Sequence, residues 1–561
     1  MSVVAFLRHG LRLLVPLAIA CMAYLYLYPV INGCAFPVES RDAREAFDAT
    51  KQLHWPYNSG LEGAPTKLAP FRLLALGDPQ LEGDTSIPTT RLGFLPNLKK
   101  VADNITFRSQ QSSLWERIRV TLHDTIDFYF EDIPNLLESA RKHIDLIGND
   151  YYLGHIYKVL HWWTRPTHVT VLGDLLGSQW IDDDEFEKRA KRFWNRTFKG
   201  AERLPDDLAL WPKNKYEVSG MLDGSDKEKT WERRLLNVAG NHDIGYAGDL
   251  TKDRVDRFER LFGLINYELR FELPISNAED NATIVDDVTN PTSTRLPPEI
   301  RIVVINDMNL DTPAKDTGLQ DETYDFINAV IGTSAAVEYQ GIFTIILTHI
   351  PMHKPEGVCV DSPMFDFHSS SEGGGVKEQN MLSLDASKGF LEGIYGISAD
   401  TNAAGGGLGR AGVVLNGHDH EGCDTYHFIN HTHGATPSDR AWQAIRWADA
   451  EAQGLPVCQR DTMPGRREIT VRSMMGDFGG NAGLLSVWFD RETWEWRFEY
   501  VDCPLGTQHF WWLAHILLLA AVVDVLLYVL AVVLAAVGVD VDVGLYADAK
   551  AARAGEAKRI S

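Results

Sequence analysis

Short apolar runs that stop at a glycine or a polar pair recur through the middle of the chain, and they predict its architecture. Phe71-Arg72-Leu73-Leu74-Ala75-Leu76 runs into Gly77-Asp78-Pro79-Gln80, and His168-Val169-Thr170-Val171-Leu172 into Gly173-Asp174. Leu235-Leu236-Asn237-Val238-Ala239 leads to Gly240-Asn241-His242-Asp243, Ile342 to Leu347 leads to Thr348-His349, and Gly412-Val413-Val414-Leu415 leads to Asn416-Gly417-His418-Asp419-His420. Runs of this length predict buried strands, with Arg301 to Ile305 as a sixth. Between Leu114 and Leu160 the spacing turns helical, with Ile126, Phe130, Ile133, Leu137 and Ile144 on one stripe. The aromatics from Tyr151 to Trp163 are read as core or membrane-facing contacts. Further helices are expected after Asp182-Asp183-Asp184-Glu185, where acids suit the positive helix N-terminus, and from Lys252 to Phe262. Ile469 to Met475 and Leu484 to Phe489, joined by a Gly-rich turn, predict an antiparallel hairpin continued by Trp494 to Tyr500. Ile284 to Pro298 reads as a polar surface loop, and Ser369 to Gly412, with two triple-glycine runs, as a flexible connection. No internal repeat is evident.

Two apolar segments at the ends change the picture from a globular chain to an anchored one. Leu13 to Ile31 carries no charge, roughly the 20 residues that span a bilayer. Arg8 and Arg12 precede it, which places residues 1–12 in the cytosol by the positive-inside rule. A cleaved signal peptide is the competing interpretation. The length of the run, Tyr24, Tyr26 and Tyr28 at its end, and the lack of a small-x-small site favour an uncleaved anchor. The second segment, residues 510–539, opens with Trp511 and Trp512 and is followed by Lys550, Arg553, Lys558 and Arg559 in a cytosolic tail, 540–561. Asp524 interrupts it and either faces a partner or the first span, or lies within reach of interfacial water. Residues 32–70, rich in Pro and Gly, then form a luminal approach and 71–508 a luminal domain.

Four sequons between the spans, at Asn104, Asn195, Asn281 and Asn430, agree with that side of the membrane. So do Cys34, Cys359, Cys423, Cys458 and Cys503, from which one or two disulfides are expected with the pairing open; Cys21 lies in the first span. The chain has 561 residues, 45% hydrophobic and 23% charged, enough for a large core. Its net charge of −23 argues against a nucleic-acid partner, which would require a basic footprint.

The strand ends supply the chemistry. Asp78 with Gln80, Asp174, Asn241 with His242, His349, and His418 with His420 each have an ordinary explanation as loop or capping residues. Five such clusters after five strands point instead to one shared site. A mixture of carboxylate, amide and imidazole donors suits a pair of divalent ions about 3.5–4 Å apart, bridged by one carboxylate.

The order Asp-x-Gln, Gly-Asp, Gly-Asn-His-Asp, His and Gly-His-x-His resembles the calcineurin-like metallophosphoesterase superfamily, over about Asp78 to His420. Gln80 stands where that superfamily usually has His. Asp78-Pro79-Gln80, Gly240 to Gly245 and Gly417 to Cys423, set between two end spans, resemble the fungal and animal enzymes that remodel glycosylphosphatidylinositol (GPI) anchors. The resemblance implies an α/β fold, a β-sandwich flanked by helices (αββα), with one N-terminal and one C-terminal transmembrane helix. It implies hydrolysis of the side-branch ethanolamine phosphate from a mannose of the anchor glycan, the second mannose in the nearest group and the first in a sister group. One metal would take Asp78, Gln80, Asp174 and His420, and the other Asp174, Asn241, His349 and His418. His242 would assist the departing sugar oxygen, oriented by Asp243. The amide of Gln80 tilts the choice toward Mn²⁺ over Zn²⁺, against the alternative of a decayed site holding one ion. Expected partners are GPI-anchored proteins or the GPI lipid, the membrane and cargo-export machinery. The expected location is the endoplasmic reticulum with cycling to the Golgi, since Lys558-Arg559-Ile560-Ser561 resembles a dibasic retrieval signal. A luminal phosphomonoesterase or nucleotide phosphodiesterase, and a non-catalytic sorting factor for anchored cargo, are the rival functions.

Overall fold

Alternation within the apolar runs decides which side chains meet in the core. In a computed structural model, which describes residues 2–55, 68–110, 113–212, 217–224, 228–275, 297–434, 436–455, 459–475, 479–539 and 541, the chain divides into two units. One is residues 33–505 and the other residues 1–32 with 506–561.

Among the described residues the larger unit holds two large sheets and a two-stranded ladder. The six-stranded sheet runs in the order β16 (Glu495–Pro504), β15 (Asn481–Asp490), β1 (Phe71–Leu76), β2 (His168–Val171), β5 (Arg234–Asn237) and β3 (Glu202–Arg203). The eight-stranded sheet runs β13 (Trp442–Arg446), β12 (Cys423–Ile429), β14 (Gly465–Thr470), β11 (Gly412–Asn416), β8 (Ile342–Leu347), β7 (Glu299–Val304), β6 (Tyr267–Glu272) and β4 (Gly220–Met221). A small ladder pairs β9 (Phe365–Phe367) with β10 (Val376–Gln379). Phe71, Leu73 and Ala75 of β1 share one core with Leu269 and Phe271 of β6 and Ile300 and Ile302 of β7, so the sheets stack face to face. Leu74 and Leu76 are buried as well, because helices such as Ile133–Thr164 and Lys252–Phe262 flank the sheets and bury Leu160, Trp163, Phe258 and Phe262. This is the expected αββα sandwich.

Parallel pairing fixes where the chemistry collects. β1, β2 and β5 are parallel, as are β7, β8, β11 and β14. Their carboxyl ends therefore emerge side by side, as α/β proteins place their sites.

Several expectations are corrected. The hairpin between 469–475 and 484–489 does not form: β14 belongs to the eight-stranded sheet and β15 to the six-stranded one. The hairpin is β15 with β16. The segment 369–412 is not a loose connection, since it contains β10 and the helical turns Leu384–Lys388 and Gly389–Ile394, and it buries Leu382, Phe390 and Tyr395. The approach segment includes a helix, Ala43–His54. Most of the polar insertion expected at 284–298 lies outside the described residues, as do Asn281 and Cys458. Among the described residues two disulfides form, Cys34–Cys503 and Cys359–Cys423. Asn104 is buried and its amide donates to Asp124 Oδ2 at 2.8 Å, an unfavourable place for a glycan.

The smaller unit contains two helices long and apolar enough to cross a membrane, Val3–Tyr26 and Gln508–Ala536. The first begins ten residues before the uncharged run, so Arg8 and Arg12 are helical. Asp524 faces the first helix at Gly10, where a Cβ would come within 2.4 Å of its carboxylate. Gly at that position lets an otherwise costly acid be buried between the helices.

Candidate metal centre

Each cluster named from the sequence sits where a strand stops, and the backbone there is held in an unusual shape. Asp78, Gln80, Asp174 and His418 have φ of 33°, 40°, 48° and 70°. They are four of the nine non-glycine residues with positive φ among the described residues. Left-handed backbone costs roughly 1–3 kcal/mol per residue and persists where the surroundings force it, commonly at functional sites. Close approach matters too. A Cβ on Gly240 would lie 2.2 Å from both the amide nitrogen and Oδ1 of Asp174, so only glycine lets the β5 turn lean on the β2 turn.

The side chains converge in two overlapping groups. Oxygens of Asp78 and Asp174 and a nitrogen of His349 lie within 4.8 Å of one another, all three residues buried. Asn241 Oδ1 is 3.0 Å from His349 Nε2 and 3.1 Å from His418 Nδ1. Gln80 Nε2 is 3.1 Å from Asp174 Oδ2 and 3.0 Å from His420 Nε2. Its amide nitrogen and oxygen are interchangeable by a flip, which would turn the oxygen into the same space. Asp174 adjoins both groups, and its Oδ1 also accepts from the His242 backbone N–H at 2.9 Å.

Tautomers show what the arrangement lacks. His349 Nδ1–H donates to the Leu172 carbonyl at 2.7 Å, and His418 Nε2–H donates to the Gln379 carbonyl at 2.8 Å. The remaining nitrogens, His349 Nε2 and His418 Nδ1, then point lone pairs at the Asn241 oxygen and toward Asp174 Oδ1, 3.3 Å from His349. With the Asn241 oxygen turned inward, these acceptors face one another across a space that suits a proton or a metal cation. Electrostatics says the same. Burial lifts the Asp78 carboxyl to about 8. Burial pulls His349 down, but the Asp174 and Asp78 carboxylates outweigh it and raise the imidazole to about 10. His418, desolvated and facing His349, falls to about 3 and is neutral. The donor set fits divalent cations, whose charge would replace the proton on His349.

His242 and Asp243 part company. The His242 side chain is 40% exposed, with Nε2 3.8 Å from Asp174 Oδ2. Asp243 is buried, and its carboxylate accepts from the backbone N–H groups of Leu175 (3.1 Å), Leu176 (2.9 Å) and Gly240 (3.0 Å). Those contacts make it a clamp between the β2 and β5 turns.

Three supporting groups escaped the sequence reading. Asp307 accepts from the backbone of His349 (3.3 Å) and Ile350 (2.9 Å). It follows β7 in the pair Asn306-Asp307, so the strand-end signal that found the other clusters was present. Gln379 orients His418 from a segment taken for loop. Glu468 is fully buried in β14 and gathers Met352 N (2.6 Å), Asn416 Nδ2 (2.7 Å), Lys354 Nζ (2.8 Å) and His427 Nε2 (2.7 Å). It ties together the turns that carry His349 and His418, and nothing in the sequence marks a lone Glu among β residues for that task.

A two-sheet sandwich with carboxylates, imidazoles and amides gathered at one edge defines a metallophosphoesterase, a phosphoesterase-like chain built for divalent metal. No family model matches the sequence. Protein TED1 of Saccharomyces cerevisiae is 32% identical over 420 residues, covering 68% of this chain and 76% of that protein. An uncharacterised protein of Schizosaccharomyces pombe is 29% identical over 358 residues, 61% of this chain and 63% of its own length. Metallophosphoesterase 1 of Danio rerio is 24% identical over 144 residues, 25% and 30% of the two chains. The chain belongs to the calcineurin-like metallophosphoesterase family that includes Protein TED1.

Proposed function

We propose that this chain is a membrane-anchored phosphodiesterase that removes the side-branch ethanolamine phosphate from a mannose, the second one, of the GPI anchor glycan. The observation that carries the hydrolytic part is the convergence of Asp78, Asp174, Asn241, His349 and His418 with their lone pairs turned inward. Kinship with Protein TED1 and the motif resemblance support the substrate. Two apolar end helices suit an enzyme whose substrate is itself held at a bilayer.

Asp78, Gln80, Asp174 and His420 would hold one cation, and Asp174, Asn241, His349 and His418 the other, with Mn²⁺ as the assigned ion. When bound, such cations lower the pKa of water and offset charge on the phosphoryl oxygens. The chain's own residues do the rest. The carbonyls of Leu172 and Gln379 hold the imidazoles of His349 and His418 in the tautomers that keep Nε2 and Nδ1 free, and Asp307 holds the backbone of His349 in place. His242, the most accessible of the inner imidazoles apart from His420, gives a proton from Nε2 to the departing mannose oxygen, which is a poor leaving group without one. In this reading the site faces the lumen of the endoplasmic reticulum, both termini are cytosolic, and removal of the phosphate supports export of anchored cargo.

Mass spectrometry of anchor glycans from cells lacking the chain tests this directly. Retained ethanolamine phosphate on the second mannose is expected, reversed by the wild-type chain and not by His242→Ala. Glycans unchanged by the deletion would remove the substrate. Rescue by Asp174→Ala would remove the hydrolytic reading in favour of a sorting factor.

A further inference from the structure

The helices Pro96–Ile105 and Leu114–Asp127 and the first three turns of Ile133–Thr164, which follows Leu114–Asp127 through a wide turn at Phe128–Asp132, reverse the usual order of polar and apolar positions; from Leu146 onward the last helix buries an ordinary apolar face. Buried polar side chains join them to one another and to the short helix Pro88–Leu92. Asn97, Asn104, Asp124, Asp132 and Ser139 are buried. Asn104 donates to Asp124 at 2.8 Å, Asn97 Nδ2 to Asp132 Oδ1 at 3.0 Å, and the backbone N–H of Leu98 to Asp132 Oδ2 at 2.9 Å. The Thr89 N–H donates to Ser139 Oγ at 3.0 Å.

The apolar side chains face outward. Trp115, Ile118, Leu122, Ile126 and Tyr129 recur at helical spacing and are all exposed, Trp115 by 81%. Phe130, Leu137 and Ile144 carry the exposed stripe into the next helix. Among the described residues, more than half of the large apolar side chains exposed on the 33–505 unit fall between Leu92 and Tyr151. In water such a surface far exceeds the scattered exposure of ordinary proteins. A hydrogen-bonded interior under an apolar exterior is the arrangement that a hydrocarbon environment favours.

Two features name the occupant. The chain carries two helices of membrane-crossing length and composition, so a bilayer is within its reach. Glu116, Arg119 and His123 are exposed on the same helix as Leu122, which suits a helix lying in the interface plane and not one crossing it. We propose that the face from Trp115 to Ile144 is a bilayer-docking surface, seated in the headgroup and upper acyl region. It would be a third membrane attachment, belonging to the unit that bears the metal centre.

The test uses the full-length chain reconstituted in phosphatidylcholine vesicles. In a Cys21→Ser background, Leu122→Cys and Ile126→Cys, both at exposed positions, are labelled with an environment-sensitive nitrobenzoxadiazole fluorophore. Glu187→Cys on the exposed side of Asp183–Arg192 is the reference, and label taken up by the unsubstituted chain is subtracted. The 122 and 126 labels are expected to shift to the blue and be quenched by nitroxide-bearing acyl chains, with the 187 label unaffected. Water-like emission at 122 and 126, or quenching no greater than at 187, overturns the proposal. A blue shift without lipid quenching also overturns it, because the face would then be covered by protein, either another chain or a second copy.

Discussion

Replacing Gly240 by alanine adds a single methyl group at the point where the β2 and β5 turns meet. That methyl carbon would lie 2.2 Å from the amide nitrogen of Asp174 and 2.2 Å from its Oδ1. Neither atom is the free end of a flexible chain. The amide belongs to a residue with φ of 48°, and Oδ1 already accepts from His242 N–H. To restore ordinary contact the Asp174 turn must retreat by about 1 Å, at about 1–3 kcal/mol for overpacking. Misplacement on that scale at a reacting centre costs about 100-fold in rate. Gly240→Ala should therefore fold with a lowered melting temperature, lose affinity for Mn²⁺ by about 10- to 100-fold, and lose kcat/KM on a phosphodiester by about 100-fold. Calorimetric titration of Mn²⁺, hydrolysis of a synthetic ethanolamine-phosphate mannoside and thermal melting read the three effects. Gly332→Ala, at a helix end with nothing within 4 Å of the added carbon, is the control, expected within about 1 kcal/mol of wild type. A Gly240→Ala chain with native metal affinity and turnover would refute the geometric argument, because the donors would then not need the contact described.

Gln80→His should retain turnover and shift metal preference from Mn²⁺ toward Zn²⁺, read by activity after chelation and reloading with each ion. Glu468→Gln leaves Lys354 and His427 buried beside a neutral group and should cost about 3–5 kcal/mol in denaturant unfolding. Burial holds His168 at about 3, below its ordinary 6.5. Between those values the unfolded chain binds a proton that the folded chain refuses. The stabilisation is complete above pH 6.5 and fades as pH falls, by about 1.4 kcal/mol at pH 5.5. His168→Phe should remove that part of the difference between melts at pH 7.5 and 5.5; an unchanged difference would exclude His168 as its source.

The strands that hold the site were legible because each couples an apolar run to a polar pair, and both signals are local. Which strands neighbour one another was not. Residues 469–475 and 484–489 both alternate and flank glycines, so they read as a hairpin, yet β14 finds β11 and β15 finds β1 far away in sequence. The triple glycines of 369–412 masked Leu382, Phe390 and Tyr395, whose burial depends on partners elsewhere in the chain. Asp243 was legible as part of a motif but not as a clamp, since two of the three N–H groups it accepts from lie in the turn after β2. The stripe at Ile126, Phe130, Leu137 and Ile144 predicted helix correctly. Its orientation is a tertiary property that periodicity does not contain.

The Cys359–Cys423 bridge joins the loop beyond His349 to the strand that begins just after His420. The strands that carry those imidazoles, β8 and β11, already pair directly, so the bridge adds a covalent tie to the loops beyond them. Its reduction would free the stretch around Cys359 to move while leaving the strand ends, and with them His349 and His418, side by side.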